Sequence, residues 1–338
     1  MKKSAALLLT LFTSASVFAS GFWKDVNFDI STDVGMYNGV ENEYVFYKMT
    51  DGTYGKISEL NWELYNIPVL ELKSKVSYKN FYINLSGFYG LPFYDGNSMT
   101  DSDWQNIYLY IDRTTYLSNC PDKYRYVLTD YTKGTNEIKY LMEGGIKIGW
   151  DFNINSKNKI SPFAGLDLNY IYMESYDHQG YHHGNSYEDS DGYLYYESLS
   201  SSVDDEGGIF EVSLNKYSYF TWIGAAYTFD IKHFSVNASA AISPFIYVDS
   251  LDNHSSEYFF YDRMFGYFQA LKGDVYLFVK FNKHNSLYFN SSARYLFMAR
   301  GKDYRASERT DVFSPTGAYG GASSWNVTAS LGYKFTLR

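Results

Sequence analysis

The chain has 338 residues, a formal net charge of −9 and a single cysteine, Cys120. The acidic balance argues against a nucleic-acid partner, one cysteine excludes an internal disulfide, and no apolar run is long enough for a transmembrane helix. Aromatic residues make up 20% of the chain, with 37 tyrosines, which favours an all-β protein with interfacial aromatic belts.

Residues 1–19 have the pattern of a secretory signal peptide. Lys2 and Lys3 form a basic start, a short apolar run follows, and Val17 and Ala19 occupy the −3 and −1 positions of a cleavage site. We therefore expect one mature domain, residues 20–338, in an exported protein.

Alternation of apolar and polar residues dominates the rest of the chain and predicts strands with one apolar and one polar face. Trp325, Val327, Ala329 and Leu331, for example, interleave with polar or small residues near the C-terminus. Ten strands are predicted, at residues 26–47, 56–78, 80–95, 134–154, 160–176, 211–231, 233–249, 257–282, 286–302 and 321–337.

The connections between these strands alternate in length. Short links fall at 79–80, 155–159, 232–233 and 283–285, and long ones at 96–133, 177–210 and 303–320. An even strand number with short turns at one end and long loops at the other is typical of bacterial outer-membrane proteins. The prediction is an all-β, ten-stranded antiparallel transmembrane β-barrel with long extracellular loops and short periplasmic turns.

The faces predicted to point inward carry charges of both signs. They are Glu71, Lys73, Lys75, Lys139, Glu143, Lys147, Asp167, Asp274, Lys280, Arg294 and Lys334. Because ten strands enclose a narrow interior, these charges predict a packed polar core and not a wide pore. The long segment 177–208 is acidic, which fits either a solvated loop or a field that attracts cationic peptides.

Two pairs of polar residues have the same i, i+2 spacing, which places both members on one side of an extended chain. Asp101 and Asp103 follow the third strand, and Asp252 and His254 follow the seventh. Both strands run outward in the predicted topology, so both pairs lie at the extracellular rim.

These pairs suit hydrolysis by an activated water. Asp252 can orient His254 so that its other ring nitrogen takes a proton from water, while crowding makes Asp101 and Asp103 share a proton. Each pair alone is also common in ordinary loops. No Gly-x-Ser-x-Gly motif is present, and we expect no metal site because His178, His182 and His183 lack cysteine or helix-borne partners.

With these features the sequence resembles the omptin family, the outer-membrane proteases of Gram-negative bacteria. The matching stretches are Lys56-Ile57-Ser58-Glu59-Leu60-Asn61-Trp62, Gly96-Asn97 through Thr100-Asp101-Ser102-Asp103-Trp104, and Asp252-Asn253-His254. The resemblance implies a barrel with an extracellular active-site groove, in which Asp252 and His254 activate water and Asp101 and Asp103 help to position it.

The resemblance also implies cleavage next to basic residues, through two acidic groups at the base of the primary pocket. One matches Glu43, whereas the other falls at Ser250, where the acid is missing although Asp249 is adjacent. The implied partners are cationic peptide or protein substrates.

Lipopolysaccharide is a further implied partner, needed for activity, with no other cofactor. Tyr172 and Glu174 resemble part of the family's Tyr-x-Glu-x-Arg binding motif, but Tyr176 stands at the arginine position. Lys216 on the neighbouring strand is the nearest predicted replacement cation.

The sequence supports two functional hypotheses. The first is an outer-membrane endopeptidase that cuts next to basic residues, and the second is a non-catalytic adhesin that binds through tyrosine-rich loops. A porin ranks third because the predicted lumen is narrow and filled with charges.

Overall fold

The structure, a computed structural model, describes residues 26–48, 54–91, 97–104, 128, 130–188, 194–199, 211–254 and 258–337. The predicted signal peptide, residues 1–19, and most of the loop between the third and fourth predicted strands lie outside the described residues. No helix in the described part of the chain is long and apolar enough to cross a membrane.

The described elements are fifteen strands. They are β1 Val26–Lys48, β2 Tyr54–Tyr78, β3 Phe81–Gly90, β4 Asn97–Asp103, β5 Asp130–Trp150, β6 Phe152–Asn153, β7 Asn158–Glu188, β8 Leu194–Leu199, β9 Val212–Ile231, β10 Phe234–Ile242, β11 Ile246–His254, β12 Phe259–Gly266, β13 Ala270–Lys280, β14 Asn285–Ala306 and β15 Ser314–Leu337.

The strands close into a barrel in which every neighbour is antiparallel. β1 pairs with both β2 and β15, and the ring is completed where β7 pairs with β9. We use "stave" for one crossing of the wall. Three staves consist of two strands each, namely β3 with β4, β10 with β11, and β12 with β13. The two-residue β6 continues β5 at its end, and β8 pairs with β7 in a separate sheet, so the wall has ten staves. The predicted ten-stranded antiparallel barrel is confirmed.

The two ends of the barrel differ as predicted. At one end, which we call the turn end, staves are joined by short turns at 79–80, 154–157, 232–233 and 281–284. The opposite end, which we call the loop end, carries the longer connections and the extended strands β7, β14 and β15.

The outer face presents an apolar band on the turn-end side of the barrel. Many large apolar side chains are exposed in this band, among them Val34, Leu72 and Leu331 at 64%, 60% and 66%. Exposure of so many apolar side chains is favourable only in contact with lipid. Aromatic pairs such as Tyr170–Tyr217 and Tyr219–Tyr247 border the band towards the loop end. The barrel therefore spans a bilayer with its loop end projecting beyond it.

Ion pairs fill the interior at the level of the band. Arg294 Nη1 lies 2.6 Å from Glu143 Oε2, and Lys272 Nζ lies 2.6 Å from Asp167 Oδ2. Lys73 Nζ lies 2.7 Å from Glu71 Oε2. These contacts confirm the packed, charged lumen.

Apolar side chains also occupy the lumen, which the charge pattern did not predict. One cluster includes Tyr37, Trp62 and Met173, all almost fully buried. A second includes Phe220 and Met264. The lumen is therefore filled by apolar layers as well as by ion pairs.

The staves extend further towards the loop end than predicted. Asp101 and Asp103 belong to β4, which pairs with β2 and β5, and Asp252 and His254 belong to β11. Neither pair lies in a loop after its strand. The prediction ended the strands too early because the segments beyond the lipid are polar and lack period-two apolar alternation, while backbone pairing with the neighbours still holds them extended.

Lys139 is an exception to the predicted inward face. The pairing of β5 with β7 shifts register between Ile138 and Tyr140. Ile138 is buried inside, and Lys139 forms ion pairs with Glu137 and Glu174 on the outer face. A bulge adds one residue to a strand, so the inward and outward positions are exchanged on its two sides.

Candidate active site

The Asp252–His254 pair lies on β11 near the loop end. His254 Nε2 is 2.9 Å from Asp252 Oδ2, because residues two apart on a strand share a face. The imidazole packs edge-on against Phe260, with ring centroids 5.5 Å apart. The His254 backbone N–H donates to the Tyr258 carbonyl at 3.0 Å. These contacts fix the ring orientation and leave Nδ1 as the nitrogen not used by Asp252.

Asp101 and Asp103 lie on β4, four staves away along the wall and so on the far side of the lumen. Their strand is held by β2, where Asp101 pairs with Leu60, and by β5, where Asp101 pairs with Thr132. The carboxyl of Asp101 acts electrostatically on both His254 and Asp252. The fold therefore brings both predicted pairs to one cleft.

The four groups alter one another's proton affinity. Burial and then the Asp103 carboxylate raise the pKa of Asp101 well above its usual range, although His254 opposes that shift. Burial alone would lower the pKa of His254, but Asp252, and then Asp101 and Asp103, raise it to about 10. Asp252 thus favours the protonated imidazole, and the crowding of Asp101 and Asp103 disfavours ionisation of Asp101.

Glu43 and Ser250, which the resemblance places at the base of one pocket, are in contact. Glu43, on β1, is 5% exposed, and its Oε1 accepts a hydrogen bond from the Ser250 hydroxyl on β11. Burial and then the Asp252 charge raise the pKa of Glu43 to about 7. This contact joins opposite walls beneath the cleft and forms the floor of a pocket next to the Asp252–His254 pair.

Asp249 does not belong to that pocket. It precedes Ser250 on the same strand and therefore faces the opposite side of the wall. There it hydrogen bonds to Tyr247 and Tyr261 and lies near Arg263. The prediction that groups Asp249 with Glu43 and Ser250 as a substrate-binding residue is wrong, because strand alternation directs adjacent side chains to opposite faces.

Lys216 faces the lumen and not the outer surface, so the prediction that it binds lipopolysaccharide is wrong. It is 1% exposed, and its Nζ lies 2.8 Å from Glu41 Oε2 across the lumen. A lipid on the outer surface cannot reach it. Lys216 instead pairs in register with Ser250 and supports the pocket floor.

The outer face carries a different cation beside the two predicted lipid-contacting residues. Glu174 accepts hydrogen bonds from Tyr172 and Tyr176, and Lys139 Nζ lies 3.0 Å from Glu174 Oε2. Tyr140 stacks on Tyr172 with centroids 6.2 Å apart. Sequence reasoning missed Lys139 because only the bulge in β5 turns it outward.

The sequence did not predict two further acidic residues near Glu43, which are Asp262 and Asp303. Asp262 on β12 lies directly opposite Ser250 in register, and Asp303 on β14 lies directly opposite Asp262. Asp262 is 12 positions from Ser250, and Glu43 and Asp303 are much further away in sequence, so only the cross-strand register reveals the cluster. No group of three or more His, Cys, Asp or Glu in the described residues is arranged to hold a metal ion.

The chain is similar to known proteins both in sequence and in fold. A family model described as the Omptin family matches residues 24–337. The crystal structure of outer membrane protease OmpT from Escherichia coli is similar with a TM-score of 0.70 at 16% identity, over 92% of this chain and 97% of that chain. At this identity the likeness shows the fold. No curated protein matches the chain significantly in sequence.

Two other solved structures are much less similar. A Pseudomonas aeruginosa FadL homologue gives a TM-score of 0.27 at 7% identity, over 92% of this chain and 90% of that chain. The P. putida toluene transporter TodX gives 0.24 at 10% identity, over 93% and 90%. Likeness at this level carries no argument about the present chain.

Proposed function

The chain belongs to the omptin family, and on that premise we propose that it is an outer-membrane endopeptidase that hydrolyses peptide bonds next to basic residues, with its active site facing the cell exterior. The observation that carries the proposal is the convergence of the hydrogen-bonded Asp252–His254 pair on β11 with Asp101 and Asp103 on β4, from opposite sides of the lumen, in one cleft. Perturbed titratable groups that converge in a cleft from different strands favour a catalytic site over a solvated rim.

Water is the proposed nucleophile. Neutral His254, oriented by Asp252, accepts a proton from the water as its oxygen attacks the substrate carbonyl carbon. Protonated Asp101 donates a hydrogen bond to the carbonyl oxygen as it gains negative charge, and Asp103 accepts one from the water. His254 then gives its proton to the leaving amine as the C–N bond breaks, which restores the neutral imidazole.

The preference for basic residues rests on the carboxyl groups in and around the pocket floor. Glu43 is buried there, and its Oε2 has no hydrogen-bond partner among the residues that the structure describes. An arginine or lysine side chain would satisfy that oxygen and compensate its buried charge. A neutral side chain would leave it unsatisfied.

Lipopolysaccharide is the proposed lipid partner. Its support is the outer-face group of Tyr172, Glu174 and Lys139, which lies at the border of the apolar band where lipid headgroups reside. Lys139 can contact a phosphate, and the tyrosines can contact sugar hydroxyls.

A fluorogenic peptide with two adjacent basic residues tests the proposal. Purified, refolded protein with lipopolysaccharide should cleave it, and His254→Ala or Asp101→Ala should lower kcat by about 10²- to 10⁴-fold. His284→Ala is the matched control, because His284 lies in a short turn at the opposite end.

Folding of each variant is checked by the heat-dependent gel mobility of the barrel. Equal turnover by the wild type, His254→Ala and Asp101→Ala would refute the mechanism. Complete inactivity of the folded wild type towards every basic peptide in a library would refute the proposed function and leave the adhesin hypothesis.

A further inference from the structure

Three acids from different staves form a carboxyl cluster beneath the cleft, which we define as Glu43, Asp262 and Asp303. Asp262 hydrogen bonds to Asp303 and acts electrostatically on Glu43. Residues paired directly across antiparallel strands share a face, so Asp262 lies beside Ser250 on the inner side of the wall. The cluster thus contains a carboxyl one strand away from the position where Ser250 has none.

The cluster lacks a cation of its own. Among the described residues, no lysine or arginine forms an ion pair with any of its three members, and the nearby Lys216 is engaged by Glu41. Within the described part of the chain, Glu43 Oε2 and Asp262 Oδ1 are buried without hydrogen-bond partners. Because buried carboxyl oxygens without partners are costly, two such oxygens in one pocket indicate a site shaped for a donor that arrives with a ligand.

Strand β15, two staves from β12 along the wall, makes room for the Asp262 carboxyl. A side chain at Gly320 on β15 would begin 2.2 Å from Asp262 Cγ, closer than two such atoms can approach. Glycine at this position therefore lets the carboxyl group stand where another residue would displace it. The carboxyl is held against the backbone of β15 and still faces Glu43.

The pKa of every carboxyl in the cluster is raised. Burial and then the Asp303 charge raise the pKa of Asp262 well above its usual range. Burial also raises the pKa of Asp303 to about 6, although hydrogen bonds from Thr316 and Asp262 oppose that shift. Burial raises the pKa of Glu43 to about 7. The facing groups are Asp252, Glu41 and Lys216, of which only Lys216 favours ionisation of Glu43.

We infer that Asp262, backed by Asp303, takes the place of the acid missing at Ser250 and makes the pocket with Glu43 selective for a guanidinium or ammonium side chain next to the scissile bond. This inference rests on the proposed peptidase function. A cation entering the pocket binds the two unpartnered oxygens and favours ionisation of the cluster, so its binding releases protons. Selectivity for the cation therefore rises with pH as the carboxyls ionise.

The test compares two peptides that differ only in charge at the residue next to the cleaved bond, arginine in one and its uncharged isostere citrulline in the other. Wild type should prefer arginine, and Asp262→Asn should reduce the ratio of the two kcat/KM values about 10- to 100-fold. The reduction should come from KM for the arginine peptide, while cleavage of the citrulline peptide is retained.

Two variants show whether the charge itself is responsible. Asp262→Glu should keep most of the preference for arginine. The double variant Ser250→Asp with Asp262→Asn should restore that preference, because it moves the carboxylate to the neighbouring strand β11. Asp230→Asn is the control, since Asp230 pairs with Lys280 at the turn end. The arginine preference of wild type should increase from pH 5.5 to pH 8 and that of Asp262→Asn should increase less.

The outcomes separate this inference from the function on which it rests. If wild type cleaves neither peptide, the proposed function fails. If wild type prefers arginine and folded Asp262→Asn keeps the same ratio and the same pH dependence, then Asp262 has only a structural role with Asp303 and the inference is wrong.

Discussion

His254 shows how a single side chain depends on charges from several strands. Its pKa is raised to about 10 although burial acts in the opposite direction, because Asp252 lies 2.9 Å away and Asp101 and Asp103 face it. A histidine is a base only when neutral. Raising its pKa therefore makes it a stronger base but reduces the fraction ready to act at neutral pH.

The pH dependence of kcat/KM should report this balance. The rising limb should lie above the ordinary histidine value of about 6.5, because activity requires His254 to lose its proton. Asp252→Asn removes the nearest negative charge, so the limb should move to lower pH while the maximum falls by about 10²- to 10⁴-fold.

Single-turnover assays with excess enzyme can measure the residual activity of that variant. An unchanged limb, or one displaced to higher pH, would show that Asp252 does not set the proton affinity of His254. His284→Ala, altered at the far end of the barrel, should keep both the wild-type limb and the wild-type maximum.

Strand β5 shows how one irregular element changes a surface. Its bulge between Ile138 and Tyr140 turns Lys139 from the predicted lumen to the outer face, beside Glu174 and Tyr172. Strict alternation cannot reveal such a residue, because a bulge depends on pairing with the next strand. The cation proposed for lipid binding therefore comes from β5 and not from Lys216 on β9.

Removing that cation should weaken activation by lipopolysaccharide. We expect Lys139→Ala to need about tenfold more lipopolysaccharide for half-maximal activity, because a charge-assisted phosphate contact is lost. Titration of the lipid against peptide cleavage measures this, with Lys157→Ala in a turn-end connection as control. An unchanged titration would remove Lys139 from the lipid site, whereas lost activity at saturating lipid would indicate damage to the barrel.

The lumen of the barrel is blocked by side-chain contacts that cross it. Lys216 reaches Glu41 and Ser250 reaches Glu43, so β9 and β11 are bonded to β1 beneath the cleft. Apolar clusters and the ion pairs around Arg294 fill the space below. The same contacts that support the pocket floor therefore obstruct a continuous aqueous path.

We expect no steady ion conductance from the wild type in a planar lipid bilayer. The obstruction consists of several layers, so Lys216→Ala alone should also remain closed. Single-channel recording in concentrated salt is the measurement, with a porin of known conductance as the positive control. Regular open steps from the wild type would revive the porin hypothesis and contradict the packed lumen.

Much of this protein was predictable from local sequence. Period-two alternation predicted the strands because pleated side chains alternate between lipid and lumen, and the lengths of the connections predicted the up-and-down ring. The i, i+2 spacing predicted that Asp252 contacts His254. Each of these features depends on residues close together in the chain.

Tertiary structure decided which side chains from distant strands meet. It placed Asp262 opposite Ser250 and Asp303 opposite Asp262, sent Asp249 and Lys139 to the outer face, and enclosed Lys216 in the lumen. The physical reason is that strand register and bulges are set by pairing around a closed ring. A shift of one residue reverses which side chains face the lumen, so local alternation identifies the strands, whereas pairing around the ring determines the composition of the site.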